Sequence, residues 1–386
     1  MIERGIAFLG LLTDSGVRIG RMSQTAVLRI LDASLNRATE GLRVVEDYAR
    51  FVLDDAYLTS QTKALRHNLT MAAATISSTH RHAARDTQRD VGTTLSTEKE
   101  LERADAWDVC AASLKRAEQS LRSMEEYGKL VNAEFAGQCE SLRYRLYTLE
   151  KALDVGRTSR DRLDGVSLCV LVDGGKSAVE FERLARSLVE ADVGMIQLRD
   201  KGLDDRELIA RARSLRQLTK GTESLCIVND RADIAAAVDA DGVHIGQEDL
   251  SVKDARAIVG TRMLIGVSTH TIEQARAAVW DGANYLGAGP TFPSSTKSFD
   301  EFAGLDYLRQ IASEIQLPTF AIGGIAAGNL AGVLATGIAR VAVGAAVTAA
   351  ADPACAAREL LGMLKAKGIA AVPAAEAASP SRTSDL

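Results

Sequence analysis

The stretch SLCIVNDRADIAAAVDADGVHIGQEDL, residues 224–250, decides the fold of this chain. Its two short apolar runs, at 225–228 and 242–245, have the length and composition of strands. The segment between them is rich in alanine, and Asp241-Gly242 supplies a stop before the second run, so we expect a helix there. A strand, a helix and a second strand in this order predict one unit of a parallel α/β sheet.

An aspartate follows each strand of this unit, Asp230 after the first and Asp249 after the second. Because the carboxyl ends of parallel strands lie on one side of a sheet, the two carboxylates can converge on a single cation such as Mg²⁺. Aspartate is also a preferred N-cap residue, so the same two side chains can instead cap the helices that follow. This unit alone leaves both alternatives open.

The same pattern of apolar run, polar or glycine residues and helical segment occurs eight times in the C-terminal part of the chain. The eight runs lie at 167–173, 195–200, 224–230, 242–246, 264–269, 285–290, 318–324 and 340–346. Eight β/α units in about 200 residues predict a (β/α)₈ TIM barrel. A doubly wound sheet more often ends after five or six strands and is the weaker alternative.

The N-terminal part has helical periodicity and contains an internal repeat. ASLNRATEGLRVVEDYARFV at 33–52 aligns without a gap on ASLKRAEQSLRSMEEYGKLV at 112–131, with ten identical positions. The retained polar and amphipathic residues are Arg37, Arg43, Glu46 and Tyr48, which match Arg116, Arg122, Glu125 and Tyr127. A duplicated helical segment predicts an all-α helical bundle with a pseudo-twofold axis, placed before the α/β barrel.

This change of pattern divides the chain into five parts. We predict a disordered extension at 1–24, an all-helical domain at 25–156, a polar linker at 157–165, the barrel domain at 166–367 and a disordered tail at 368–386. Met22 directly precedes the first helical pattern and is an alternative start to Met1.

The loop between the two repeats is charged and rich in threonine. It has the sequence HRHAARDTQRDVGTTLS, residues 80–96, and contains Arg85, Asp86, Thr87 and Asp90. Arginine forks suit phosphate oxygens, so this loop is a candidate site for a phosphorylated ligand. A solvated connector whose charges pair on helix faces is the alternative, and charge alone favours that alternative.

Composition argues against several classes of protein. The chain has 46 Lys and Arg against 51 Asp and Glu, a formal net charge of -5, which argues against a nucleic-acid partner. No apolar run reaches the roughly 18 residues of a membrane span. The five cysteines are scattered and odd in number, which favours reduced thiols over a disulfide scaffold or a zinc site. We therefore expect a cytoplasmic protein that acts on small molecules.

In a barrel the residues that follow the strands form the active site. Here they are Gln197, Leu198, Arg199, Asp200 and Lys201 after the second strand, Asn229 and Asp230 after the third, Asp249 after the fourth, Ser268, Thr269 and His270 after the fifth, Ser294, Ser295, Thr296 and Lys297 after the sixth, Gly323 and Gly324 after the seventh, and Gly344 and Ala345 after the eighth. Acids, cations, hydroxyls and glycines in this combination suit two phosphorylated ligands, one held through Mg²⁺, and a reaction in which diphosphate leaves. His244, inside the fourth strand, is interpreted as structural.

Six ordered motifs make the barrel part resemble thiamine-phosphate synthase. They are QLRDK at 197–201, NDRADIA at 229–235, DGVHIGQEDL at 241–250, IGVSTH at 265–270, GAGPTFPSSTK at 287–297 and AIGGI at 321–325. The resemblance implies a TIM barrel that joins 4-amino-2-methyl-5-hydroxymethylpyrimidine diphosphate to a thiazole phosphate and releases diphosphate. If the thiazole is carboxylated, CO₂ leaves as well. The rival in the same superfamily is a thiazole tautomerase.

The resemblance also implies roles for individual residues. Gln197, Arg199, Lys201 and Asn229 would hold the pyrimidine diphosphate, Asp230 and Asp249 would bind Mg²⁺, Ser268 and Lys297 would contact the pyrimidine substrate, and Ser294, Thr296 and Gly324 would bind the thiazole phosphate. Lys201, Ser268 and Lys297 are then the candidate catalytic residues. Many family members have a serine in the turn after the eighth strand, where this chain has Gly344-Ala345, so backbone N–H groups must bind the phosphate there.

The helical part resembles a domain that some bacteria fuse to this synthase, proposed to be an alternative hydroxymethylpyrimidine phosphate kinase. The motifs are ILDASLNRATEGLRVVEDYARF at 30–51, RDTQRDVGT at 85–93 and SLRYRLYTLEK at 141–151. The resemblance implies ATP as a further ligand, although no P-loop or protein-kinase signature is present. The alternative is a dimerisation or ligand-sensing module, and the dimerisation form of it would make the protein a homo-oligomer.

Overall fold

The computed structural model describes residues 24–88, 102–293 and 303–370 of the chain. Its helices are α1 Gln24–Phe51, α2 Ala56–Ala73, α3 Ser78–Ala84, α4 Ala106–Gly128, α5 Ala133–Arg162, α6 Ala178–Val189, α7 Asp205–Thr219, α8 Ala232–Val238, α9 Val252–Val259, α10 Ile272–Asp281, α11 Gly304–Glu314, α12 Leu330–Leu334, α13 Ala345–Thr348 and α14 Pro353–Ala370. Within these described ranges, no helix is long and apolar enough to cross a membrane.

Eight parallel strands close into a barrel in chain order, which confirms the predicted fold. They are β1 Leu168–Val172, β2 Met195–Leu198, β3 Leu225–Asn229, β4 Gly242–Ile245, β5 Leu264–Thr269, β6 Tyr285–Ala288, β7 Thr319–Ile322 and β8 Val341–Val343. Each strand pairs in parallel with the next, and β8 pairs with β1. Closure leaves no sheet edge, and it brings all eight carboxyl ends to one face.

Alternate side chains along each strand point into the barrel, and the lower part of the interior is apolar. This inner cluster contains Leu163, Val166, Cys169, Met195, Ile227, Leu264, Tyr285, Phe320 and Ala342. The large ring of Tyr285 fits because its neighbour is Gly266, whose added Cβ would lie 2.1 Å from the ring and 2.5 Å from His244 Nδ1. Glycine at this position therefore makes room for two aromatic side chains inside the barrel.

The two sequence repeats form equivalent parts of the helical bundle. Helices α1 and α4 pack closely, because a Cβ added to Gly41 would lie only 2.8 Å from Ser113 O. The retained glutamates make matching ion pairs to the helix that follows each repeat. Glu46 Oε2 lies 2.9 Å from Arg66 Nε, and Glu125 Oε2 lies 2.9 Å from Arg143 Nη2. Both carboxylates are buried, which explains why the repeat retains them.

The predicted linker at 157–165 is wrong for most of its length, because α5 continues to Arg162. Its polar composition suggested a flexible connector, but the segment stays helical since one face is packed. Ser159 is buried, Arg157 lies over the Trp107 ring at 5.0 Å, and Leu163 belongs to the inner cluster of the barrel. Helix α14 likewise runs to Ala370, into the predicted tail at 368–386. The predicted extension falls almost entirely outside the described residues, and the division into domains stays a prediction.

Direct hydrogen bonds join the helical part to the barrel. Asn284 Nδ2 donates to Ser159 Oγ at 2.9 Å, while Asn284 Oδ1 accepts from Ile265 N at 2.8 Å. Lys151 Nζ donates to Asp281 O at 2.6 Å, and Asp55 Oδ2 accepts from Gln316 N at 2.9 Å. Asn284 thus links α5 to β5 in the interior. All five cysteines are free thiols, as expected, and four of them are buried.

Candidate active site

The candidate site lies at the carboxyl ends of the strands, where the inward-facing side chains become polar. These inward residues are Gln197 on β2, Asn229 on β3, His244 on β4 and Ser268 on β5. Asn229 and His244 are partners in the register of β3 and β4, so the polar residues of adjacent strands lie side by side. The barrel therefore has an apolar base and a polar mouth, the arrangement in which barrel enzymes bind substrate.

The structure brings Asp230 and Asp249 together, and neither of them caps a helix. Helix α8 has Arg231 as its N-cap without a side-chain cap bond, and α9 is capped by Ser251, whose hydroxyl accepts from Asp254 N. Asp230 itself has φ of 61°, a left-handed conformation that aspartate and asparagine tolerate better than most residues. The capping alternative is therefore wrong for both aspartates, and their carboxylates remain available for another task.

The two carboxylates interact directly, with Asp230 partly buried and Asp249 exposed. Burial raises the pKa of Asp230, and a hydrogen bond with the Asp249 side chain raises this pKa further. Lys201 Nζ, 3.3 Å from Asp230 Oδ2, acts in the opposite direction. Asp249 is fixed from below by Gly246 N, which donates to its Oδ2 at 2.7 Å. Two adjacent carboxylates at neutral pH repel each other, and a bound divalent cation would remove that repulsion.

The donor set suits a magnesium ion that the substrate helps to bind. Within residues 24–88, 102–293 and 303–370, no group of three or more His, Cys, Asp or Glu side chains is placed to hold a metal ion. Mg²⁺ commonly takes one or two protein carboxylates and completes its shell with water and substrate phosphates. Asp230 and Asp249 match that pattern, since both present oxygen and neither is committed to a helix end.

Two of the predicted substrate-binding side chains in QLRDK face elsewhere. Leu198 is 1% exposed and packs in the apolar layer outside the strands, because strand alternation points it away from Gln197. The Asp200 carboxylate accepts backbone hydrogen bonds from Gly174, Gly202 and Leu203. Burial alone would raise the pKa of Asp200, but these hydrogen bonds lower it. Leu198 and Asp200 therefore shape the site through the backbone and the loops.

His244 contacts the site, although the sequence suggested only a structural role for it. Its Nε2 lies 2.9 Å from Ser268 Oγ, and its Nδ1 lies 3.2 Å from Tyr285 OH. Burial lowers the pKa of His244 to about 4, helped by Arg199, so the ring is neutral at physiological pH. The sequence contained a signal for this position, because His244 is a polar residue between the apolar Val243 and Ile245. Since Val243 and Ile245 face outwards, alternation along the strand places His244 inside the barrel.

The hydrogen atoms in the Tyr285–His244–Ser268 hydrogen bonds can be assigned from what each group is able to donate. The buried Tyr285 hydroxyl has no other acceptor in the described part of the chain, so it donates to His244 Nδ1. The neutral ring then carries its hydrogen on Nε2 and donates to Ser268 Oγ. Ser268 is left with its own O–H free to donate towards the mouth. The buried pair thus orients the hydroxyl of a predicted catalytic residue.

Close contacts fix the conformation of the turn after β7, which the sequence predicts to bind phosphate. Gly323 and Gly324 have φ of 100° and 62°, and a Cβ on Gly324 would lie 2.4 Å from Pro293 O. No other residue fits there without moving the turn after β6. Gly344 is the N-cap of α13 and has no side-chain cap, so Ala345 begins a turn with uncapped N–H groups. The predicted residues Ser294, Ser295, Thr296 and Lys297 lie outside the described residues.

We predict that His244 stays neutral and carries its hydrogen on Nε2 down to about pH 5. Nitrogen-15 NMR of the imidazole ring measures both properties, and the exposed His67 gives an internal reference. In Tyr285→Phe the donor to Nδ1 is missing, so a mixture of the two tautomers is expected. A ring that gains its second proton near pH 6.5, or that carries hydrogen on Nδ1, contradicts the assignment.

Comparison with known proteins finds matches for both parts of the chain. A family model described as thiamine monophosphate synthase matches residues 168–347, and a ThiD2 family model matches residues 29–152. A solved structure titled thiamine phosphate pyrophosphorylase from Pyrococcus furiosus has 37% identity and a TM-score of 0.47, and the match covers 52% of this chain and 96% of that one.

Two relatives named thiamine-phosphate synthase match most of the chain, including its helical part. The protein from Rhodopirellula baltica is 46% identical over 326 residues, which covers 82% of this chain and 87% of the relative. The protein from Synechocystis sp. is 40% identical over 342 residues, which covers 89% of this chain and 97% of the relative. Because this identity extends over most of both chains and the barrel carries the expected polar mouth, the chain belongs to the thiamine-phosphate synthase family.

Proposed function

We propose that the barrel couples the pyrimidine diphosphate to the thiazole phosphate with Mg²⁺ held by Asp230 and Asp249. The observation that carries this proposal is the pair of facing carboxylates, which have no helix to cap and lie beside Lys201. Membership of the family makes the chain a transferase of thiamine biosynthesis. The tautomerase alternative finds no support among the relatives, since those compared carry the synthase name.

The residues at the mouth divide the binding task between them. Gln197 and the oriented Ser268 hydroxyl would contact the polar edge of the pyrimidine, together with Asn229, which is the register partner of His244. Arg199 and Lys201 place positive charge where the diphosphate leaves. Bound Mg²⁺ supplies further charge neutralisation for the departing diphosphate. Lys297 and the hydroxyls of Ser294 and Thr296 complete the proposed set from the segment after β6.

The reaction we propose begins with ionisation of the C–O bond between the pyrimidine methylene group and the diphosphate. The bond electrons leave with diphosphate, and the aminopyrimidine ring delocalises the positive charge that remains on the methylene carbon. The thiazole nitrogen then donates its electron pair to that carbon. This route needs no protein nucleophile, which fits a site built from cations, hydroxyls and carboxylates.

Replacing Asp230 by asparagine is the sharpest test of the metal proposal. Asparagine tolerates φ of 61°, so the fold is kept while one ligand charge is lost. We expect the rate of thiamine phosphate formation to fall about 100-fold or more, and the Mg²⁺ concentration for half-maximal rate to rise. Both quantities follow from steady-state assays with the two substrates and varied Mg²⁺.

Asp192→Asn is the matched control for that variant. Asp192 has φ of 58°, is exposed and lies before β2, at the opposite end of the barrel from the site. Its replacement makes the same chemical change in the same backbone conformation, so activity should stay at the level of the unmodified chain. Undiminished activity in Asp230→Asn, or an equal loss in Asp192→Asn, contradicts the metal proposal.

For the helical part we propose phosphorylation of the pyrimidine monophosphate with ATP as phosphoryl donor. The match of residues 29–152 to the ThiD2 family supports this proposal, as does a cleft lined by arginines between α1 and the segment after α3. Such an activity would supply the barrel with its diphosphate substrate. The alternative, a dimerisation or sensing module, needs neither ATP nor a catalytic cleft.

The full-length chain without thiazole phosphate tests the kinase proposal. Mixed with ATP, Mg²⁺ and the pyrimidine monophosphate, it should produce ADP and the pyrimidine diphosphate in equal amounts, because one phosphoryl group moves per turnover. Chromatography of the nucleotides and pyrimidines measures both products. Folded protein that makes thiamine phosphate in the coupling assay but yields no ADP here contradicts the kinase and favours the module.

A further inference from the structure

A small cleft on the helical part gathers arginine side chains from three segments of chain. It has a volume of about 250 Å³ and is lined by Arg29, Asp32, Ala33, Asn36 and Arg37 of α1 and by Arg85, Asp86 and Thr87 after α3. Arg81 of α3 lies behind it, in contact with Asp32. The volume is slightly below the roughly 300 Å³ at which sites for drug-sized ligands begin, so the cleft suits a small ligand.

Asp32 fixes the positions of the arginines around the cleft. Its side chain is buried, and its two oxygens accept from Arg85 Nε at 2.7 Å and Arg85 Nη2 at 3.0 Å. Arg81 Nη1 approaches the same carboxylate at 3.6 Å, and Arg81 Nε is buried without a hydrogen-bond partner. One carboxylate thus orients two guanidinium groups, a geometry that preorganises donors before a ligand arrives.

Two further arginines bring the cleft an excess of positive charge. Arg29 Nη2 donates to the backbone oxygen of Asp86 at 3.2 Å, which holds its guanidinium at the cleft wall. In the described part of the chain, neither Arg29 nor Arg37 forms an ion pair with a carboxylate. Among the described residues, four guanidinium groups therefore stand beside the carboxylates of Asp32 and Asp86, and an anion would balance the remaining positive charge.

The second repeat shows what the same position looks like without such a cleft. The residue equivalent to Asn36 is Lys115, and its Nζ is neutralised by Glu118 at 3.1 Å and Glu150 at 2.7 Å. The positions that match Asp32 and Arg29 are Ala111 and Asp108, so the buried carboxylate and one arginine are absent. The arginine cleft is thus a property of the first repeat and does not follow from the duplication.

We propose that this cleft binds the phosphate group of a small phosphate monoester, with Arg37, Arg29 and the outer nitrogen of Arg85 as donors and Thr87 at the rim. Guanidinium forks match phosphate oxygens in geometry and charge. Binding here does not require phosphoryl transfer, so the inference stands whether or not the helical part is a kinase. If it is one, this cleft is where the phosphate of the pyrimidine monophosphate is held.

Hydrogen–deuterium exchange of the full-length chain tests the proposal, because it reports binding separately for the cleft and the barrel. The probes are inorganic phosphate and the pyrimidine monophosphate, with chloride at equal ionic strength as reference. We expect both probes to slow exchange in residues 78–88. Arg37→Gln should raise the probe concentration for half-maximal protection about tenfold or more, since one charge-assisted contact is lost.

Arg116→Gln is the matched control, because Arg116 is the repeat mate of Arg37, is exposed as well and lies on α4. It should leave the protection of residues 78–88 unchanged and keep the rate of thiamine phosphate formation. The proposal is overturned if millimolar phosphate does not protect residues 78–88 in the unmodified chain. Equal weakening by Arg116→Gln overturns it too, because a diffuse charge effect would then explain the binding.

Discussion

The repulsion between Asp230 and Asp249 is the constraint on which the site depends. The two carboxylates interact at the ends of adjacent strands, where burial raises the pKa of Asp230 and so disfavours its charge. The fold accepts this arrangement through a left-handed aspartate and a glycine N–H that fixes its partner. Lys201 offsets only part of the repulsion. An unfavourable interaction of this kind lowers the stability of the folded chain locally. It is typical of a site arranged to bind a cation and a charged substrate.

The rest of the barrel keeps this pair and its neighbours in place. Aromatic side chains fill the interior because glycines on the adjacent strands make room, and the buried Tyr285 orients His244, which orients Ser268. Helix α5 closes the base with Leu163 and joins β5 through Asn284. The helical part is therefore bonded to the scaffold of the active site, while its arginine cleft forms from α1, α3 and the segment that follows them.

Sequence patterns predicted the elements well and the side-chain directions less well. All eight strands followed from apolar runs that end in polar residues, because a buried parallel strand leaves that mark. The prediction of a linker at 157–165 was wrong because polar composition does not show that Ser159 is packed against the barrel. Leu198 and Asp200 were included with their motif, whereas strand alternation and backbone hydrogen bonds turn them away. The convergence of Asp230 and Asp249 followed from their positions after two neighbouring parallel strands, but the sequence could not exclude the capping alternative, because the residues that begin α8 and α9 are seen only in the structure.

The central claim is that Asp230 and Asp249 bind one divalent cation that also contacts the leaving diphosphate. Anomalous diffraction from crystals grown with Mn²⁺, diphosphate and thiazole phosphate tests it most directly, since manganese replaces magnesium at oxygen sites and scatters anomalously. We predict a single strong anomalous peak within coordination distance of a carboxylate oxygen of each aspartate, with diphosphate oxygens completing the shell. Diphosphate bound in the barrel mouth without a peak between the two aspartates would contradict the claim.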